Sequence, residues 1–120
     1  MLINSKYLVV CAGLIVAYCS NCWALPEKYY QENTCNGIME YRLDDGSRVD
    51  CLTDEYAIEY DFANKWAEAV GQSLYYAMKT GKKPSIILIL KDEKQKKHLP
   101  KVEMLCKKYG IELGIISPQL

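Results

Sequence analysis

The sequence predicts an α/β domain: a mixed β-sheet flanked by helices, with elements in the order αβββαβαβ. Three observations carry this. Ala63–Lys79 and Leu99–Tyr109 repeat apolar residues with a helical period. Ser85–Leu90 (SIILIL) is an unbroken apolar run, as in a strand covered on both faces. Asp44-Asp45-Gly46-Ser47 is a hairpin turn between two alternating segments.

Each element has its own signal. Pro26 to Asn36 is a short helix candidate, stopped by Gly37. Gly37–Leu43 alternates like a strand, and Arg48–Thr53 returns after the turn. Ala57–Phe62 is a third strand, following Asp54-Glu55. In the next helix Trp66, Val70, Leu74 and Ala77 form one apolar stripe. Gly81 ends that helix, and Pro84 blocks its continuation. Pro100 opens the second long helix, Gly110 closes it, and Ile111–Ser117 is the last strand. Helical crossovers between strands make part of the sheet parallel.

The 120 residues hold 15 Lys+Arg against 15 Asp+Glu, and 50% are apolar. That is one domain's worth of chain with enough apolar surface for a core, which excludes a disordered tail, and its zero net charge excludes a bulk polycation. The N-terminus reads as an export signal. Lys6 supplies the positive charge, Tyr7–Tyr18 a 12-residue apolar core, and Cys22-Trp23-Ala24 a cleavage triplet. Residues 1–24 are therefore expected to be removed and 25–120 to form a single exported domain, periplasmic or secreted, with no stable membrane association after cleavage. Cys35, Cys51 and Cys106 would remain; export favours a disulfide, and Cys35 with Cys51 is the preferred pair. His98 is the lone histidine, and the segment from Leu25 has no CxxC, which argues against structural zinc.

Charge divides along the chain. Leu25 to Met78 holds 4 basic and 11 acidic residues; Lys79 to Lys108 holds 10 lysines against Asp92, Glu93 and Glu103. An acidic half can hold a cation and a lysine-rich half can hold phosphates. Side chains alternate along a strand, so Glu59 and Asp61 share a face opposite Ile58 and Tyr60. Asp50 on the neighbouring strand can join them, which makes Asp50, Glu59 and Asp61 an oxygen-ligand set for Mg²⁺ or Mn²⁺. On the following helix, Gln72 and Tyr76 fall about 20° to either side of Lys65 around the axis, with Glu68 beside them. A lysine there can stabilise charge developing on a phosphate.

The stretches Asp45-Gly46-Ser47-Arg48-Val49-Asp50, Ala57-Ile58-Glu59-Tyr60-Asp61 and Gly71-Gln72-Ser73-Leu74-Tyr75-Tyr76 together resemble the core of the PD-(D/E)XK nuclease superfamily. The likeness is nearest to its RecB-type and Holliday-junction-resolvase-like branches. It covers roughly residues 30 to 117. It implies a restriction-endonuclease-like fold and metal-dependent hydrolysis of phosphodiester bonds. Asp50 and Glu59, with Asp61, would hold the ion. Gln72 and Tyr76, in a Gln-x-x-x-Tyr spacing, would contact the nucleic-acid backbone. Lys82, Lys83 and the other lysines of residues 79–108 would bind phosphates away from the cut, independently of sequence and in a salt-dependent way, DNA foremost.

The family's lysine, two residues after its glutamate, is Asp61 here. Lys65 is the candidate for a migrated lysine, and Glu32 or Glu40 for the family's upstream acid. Two other classes fit the same residues: a catalytically inactive nuclease-fold module that binds nucleic acid or a protein partner, and an exported interaction protein using its ten tyrosines.

Overall fold

The apolar run of residues 85–90 is the middle of the sheet. In the computed structural model, which describes residues 7–11, 14–19 and 25–118, the elements are β1 (Tyr7–Cys11), β2 (Leu14–Cys19), α1 (Glu27–Thr34), β3 (Ile38–Arg42), β4 (Arg48–Leu52), β5 (Tyr56–Phe62), α2 (Trp66–Thr80), β6 (Lys83–Ile89), α3 (Leu99–Tyr109) and β7 (Glu112–Pro118). One seven-stranded sheet has the order β2-β1-β7-β6-β5-β4-β3. β6 runs parallel to β5 and to β7, through crossovers made by α2 and α3, and the other pairs are antiparallel. From Leu25 onward the element order is the expected αβββαβαβ.

Strand alternation sorts the core into layers. Ile87 and Ile89 of β6 pack with Tyr60, Cys51, Ile116 and Tyr30 of α1 on one face. Ile86, Leu88 and Leu90 pack with Ala63, Ala69, Val102, Cys106 and Ile111 on the other, beneath α2 and α3. Burial from Ser85 through Leu90 is continuous, as two-sided cover requires.

Two details differ from the expected pattern. The segment before α2 is a 3-10 turn, Ala63–Lys65, so the α-helix begins at Trp66. The innermost side of α2 is Ala69, Ser73, Tyr76 and Ala77, while Trp66, Val70 and Leu74 are half-buried flanking residues. Small side chains at Ala69, Ser73 and Ala77 let the helix sit close to the sheet, and the larger residues fill the wedge beside α3. A second 3-10 turn, Glu93–His98, carries part of the lysine-rich segment.

The apolar run Tyr7–Tyr18 supplies β1 and β2, with β1 antiparallel to β7 from Tyr7↔Pro118 to Cys11↔Gly114. Lys6 and the expected cleavage triplet 22–24 lie outside the described residues. Among the described residues no helix is long and apolar enough to cross a membrane. Cys35 and Cys51 are joined in a disulfide, Cα atoms 5.9 Å apart, which ties the end of α1 to β4. Cys106 is a buried free thiol.

Candidate functional site

β5 pairs with β6 along its whole length, from Tyr56↔Lys83 to Phe62↔Ile89. Its pairing with β4 covers only Cys51↔Ile58 and Leu52↔Ala57. Beyond Ile58 the two strands part, and the backbone N–H of Tyr60 donates instead to Asp50 Oδ2 at 2.8 Å. A polar cavity of about 550 Å³ lies at this splay. The α1 and α2 layers lie on opposite faces of the sheet, and both reach it.

Asp50, Glu59, Asp61, Lys65, Gln72 and Tyr76 all line this one cavity, so the structure gathers the expected set. Lys65 reaches it from the 3-10 turn, one turn before the helix that carries Gln72 and Tyr76. Lys82 and Lys83 are not part of it. They sit at the opposite end of β5 and β6, Lys83 about 10 Å along the strands from the level of Glu59 and about 17 Å from that of Asp61. There Lys82 Nζ donates to the Asp54 carbonyl at 2.8 Å, and Lys83 pairs with Glu55 at 3.0 Å.

The floor of the cavity is acidic and buried. Glu59 is 4% exposed and Asp61 6%. Burial pushes the Glu59 carboxyl up to about 10, helped by the charge of Asp50. Asp50 is raised to about 6 by burial, against the pull of the Tyr60 N–H. Asp61 is raised to about 7 by burial and by Glu27, while Lys65 pulls it back. Neutral or proton-sharing carboxyls are what crowded, desolvated acids adopt when nothing cationic lies between them.

Sequence reasoning missed the α1 wall. Glu27, Lys28 and Gln31 line the cavity, and Glu27 lies against Asp61. The four-residue spacing of Glu27 and Gln31 marks one helix face, but only the fold shows which strands that face covers. Of the two upstream acids considered, Glu40 lines the cavity, whereas Glu32 is exposed outside it. Glu40 has φ of 53°, a left-handed conformation uncommon for a residue with a side chain, and pairs with Arg48 at 3.8 Å. The exposed side chains of Lys28, Arg48 and Lys65 thus ring an acidic floor.

The hairpin tip is fixed beside the cavity. Asp45 accepts from the Ser47 N–H at 2.9 Å and from its hydroxyl at 2.5 Å, and Tyr75 of α2 donates to its other oxygen. These bonds, Ser47 foremost, hold the Asp45 carboxyl down to about 2. Lys79 pairs with Asp44 at 3.0 Å. Gly46 and Ser47 are thereby placed on the cavity wall.

Among the described residues no three His, Cys, Asp or Glu side chains are gathered tightly enough to cage an ion unaided. The donor chemistry nevertheless fits a hard cation. The donors are carboxylate oxygens, and Glu59 Oε1 is buried without a hydrogen-bond partner. Mg²⁺ ordinarily takes one or two carboxylates and completes its shell with waters and substrate phosphate, without a full protein cage.

Comparison with known proteins finds similarity to a mimivirus protein (Acanthamoeba polyphaga mimivirus) whose name records a KilA-N domain: 31% identity over 91 residues, 76% of this chain and 23% of that protein. The chain spans about a quarter of the length of the relative it matches. No protein-family model matches the chain. No solved structure matches it.

Proposed function

We propose that the chain binds nucleic acid at this cavity and hydrolyses its phosphodiester bonds with Mg²⁺ or Mn²⁺, as the resemblance to PD-(D/E)XK nucleases implies. One observation carries the reading: a buried carboxylate, Glu59, with an unpartnered oxygen on the floor of a polar cavity ringed by Lys28, Arg48 and Lys65. Acids below and cations above suit a ligand that brings a metal ion and a phosphate together.

Asp50 and Glu59, with Asp61, would hold the ion. A divalent ion supplies Lewis acidity toward a phosphoryl oxygen and a bound water that ionises near neutral pH. Burial raises both Glu59 and Asp50, so they must release protons to receive it. Lys65, close enough to pull down the Asp61 carboxyl, would stabilise charge on the phosphate in place of the family's lysine. Gln72 and Tyr76 would hold the backbone of the nucleic acid on the α2 side. Lys82 and Lys83 would touch only a ligand long enough to reach the far end of β5 and β6. The disulfide supports the proposed export to an oxidising compartment.

A binding-only module is the second reading, and Asp61 favours it: an acid at the family's lysine position adds negative charge where the phosphate would sit. Labelled DNA and RNA, single- and double-stranded, incubated with the full chain in Mg²⁺ or EDTA separate the two. Cleavage in Mg²⁺ alone supports the enzyme. Salt-dependent binding without cleavage in either condition supports the module.

A further inference from the structure

Among the described residues, two buried side-chain oxygens lack a hydrogen-bond partner: Oε1 of Glu59 and Oε1 of Gln31. Both side chains line the same cavity, from β5 and from α1 respectively. Gln31 is 4% exposed. A buried acceptor left unpaired lowers stability, and an apolar side chain of similar volume would avoid the loss. Gln31 belongs to neither the nuclease motifs nor the acidic set, so the metal-ligand reading leaves it unexplained.

Its chemistry is specific. The free Gln31 oxygen only accepts, so it needs a donor. The non-bridging oxygens of a phosphodiester donate nothing. A water on a hard cation does donate, and such an ion keeps several waters when protein supplies few ligands. Groups that accept from coordinated water fix the ion's orientation and typically account for 10- to 100-fold in affinity.

We infer that Gln31 is a positioning residue: its Oε1 accepts a hydrogen bond from a water carried by a divalent cation at Asp50, Glu59 and Asp61. This rests on the metal-dependent reading of the site, and deepens it by adding an outer contact from α1.

The test is Mn²⁺ binding by calorimetry to the full chain, wild type beside Gln31→Met and Gln31→Glu, with metal-free melting temperatures for all three. The expected result is Mn²⁺ binding weakened about tenfold or more in Gln31→Met, retained in Gln31→Glu, and a metal-free melting temperature for Gln31→Met equal to or above wild type. Wild-type binding matched by Gln31→Met would overturn the role of Gln31 and leave the metal site standing. A Gln31→Met variant that melts below wild type without metal would show that the amide is already satisfied within the fold, and would overturn it too. No Mn²⁺ binding by a folded wild type would overturn the inference together with the metal reading.

Discussion

The Asp50 carboxylate accepts the backbone N–H of Tyr60 at 2.8 Å, where a sheet hydrogen bond would otherwise lie. One side chain thereby does two jobs: it closes the backbone where β4 and β5 separate, and it faces the cavity that the separation opens. Asp50→Ala should leave a buried N–H unpaired and destabilise the fold by about 1–3 kcal/mol. Asp50→Asn keeps an oxygen acceptor and should cost clearly less. Urea denaturation of the two variants compares them. Equal losses would mean that the Tyr60 N–H does not depend on Asp50.

The acidic floor makes stability depend on pH. Glu59, Asp50 and Asp61 all titrate above ordinary carboxylates when folded, with burial as the leading cause. The folded state then holds more protons than the unfolded chain between the ordinary carboxylate range and the raised values, so stability falls as pH rises through that window. The metal-free protein should melt at a lower temperature at pH 8 than at pH 5. Glu59→Gln, a fixed stand-in for the protonated acid, should flatten the slope and melt higher than wild type at pH 8. Divalent-ion affinity should increase over the same window as the acids deprotonate. Melting curves across pH, with and without Mn²⁺, check each part.

The disulfide closes a sequence separation of 16 residues between α1 and β4. Cross-linking a loop of that length stabilises a fold by about 3 kcal/mol through the unfolded chain. Cys35→Ala/Cys51→Ala should lose roughly that amount and loosen α1, the wall that carries Glu27 and Gln31. Denaturant midpoints of the double variant against wild type measure the loss.

The lysines should divide by position. Lys65 on the cavity rim should matter for chemistry: Lys65→Ala is expected to cut the cleavage rate by about 10²-fold, the scale of losing one charge-stabilising group, with a smaller change in binding. Lys28→Ala and Arg48→Ala should each lower the salt dependence of nucleic-acid binding by about one phosphate contact. Lys83→Ala, whose charge is matched by Glu55, should alter binding of short oligonucleotides little. Fluorescence anisotropy at several salt concentrations resolves these cases.

The helices and strands were legible because their periods differ. The SIILIL run announced a central strand, and Gly81 and Gly110 marked the ends of the two long helices; both sit in the left-handed conformation that suits glycine. Asp50, Glu59 and Gln72 were legible through spacing, since each lies on an element whose faces the sequence fixes. Lys65 was placed correctly beside them although its segment is a 3-10 turn. Gln31 and Glu27 were not legible, because nothing in α1 tells which strands it covers. The inner face of α2 was misjudged for a related reason: apolar size marks Trp66 and Leu74, while close approach to the sheet selects Ala69 and Ser73. Lys82 and Lys83 were expected to meet phosphates away from the cut, and the parallel crossover places them at the other end of β5 and β6.

The most direct measurement is nicking of supercoiled plasmid by the full chain in Mg²⁺, Mn²⁺ or EDTA, with Glu59→Gln alongside. Nicking that requires the metal and disappears in Glu59→Gln, while that variant stays folded, is the predicted result. No nicking with either ion by a folded wild type, or metal-dependent nicking undiminished in Glu59→Gln, would contradict a phosphodiesterase site built on these carboxylates.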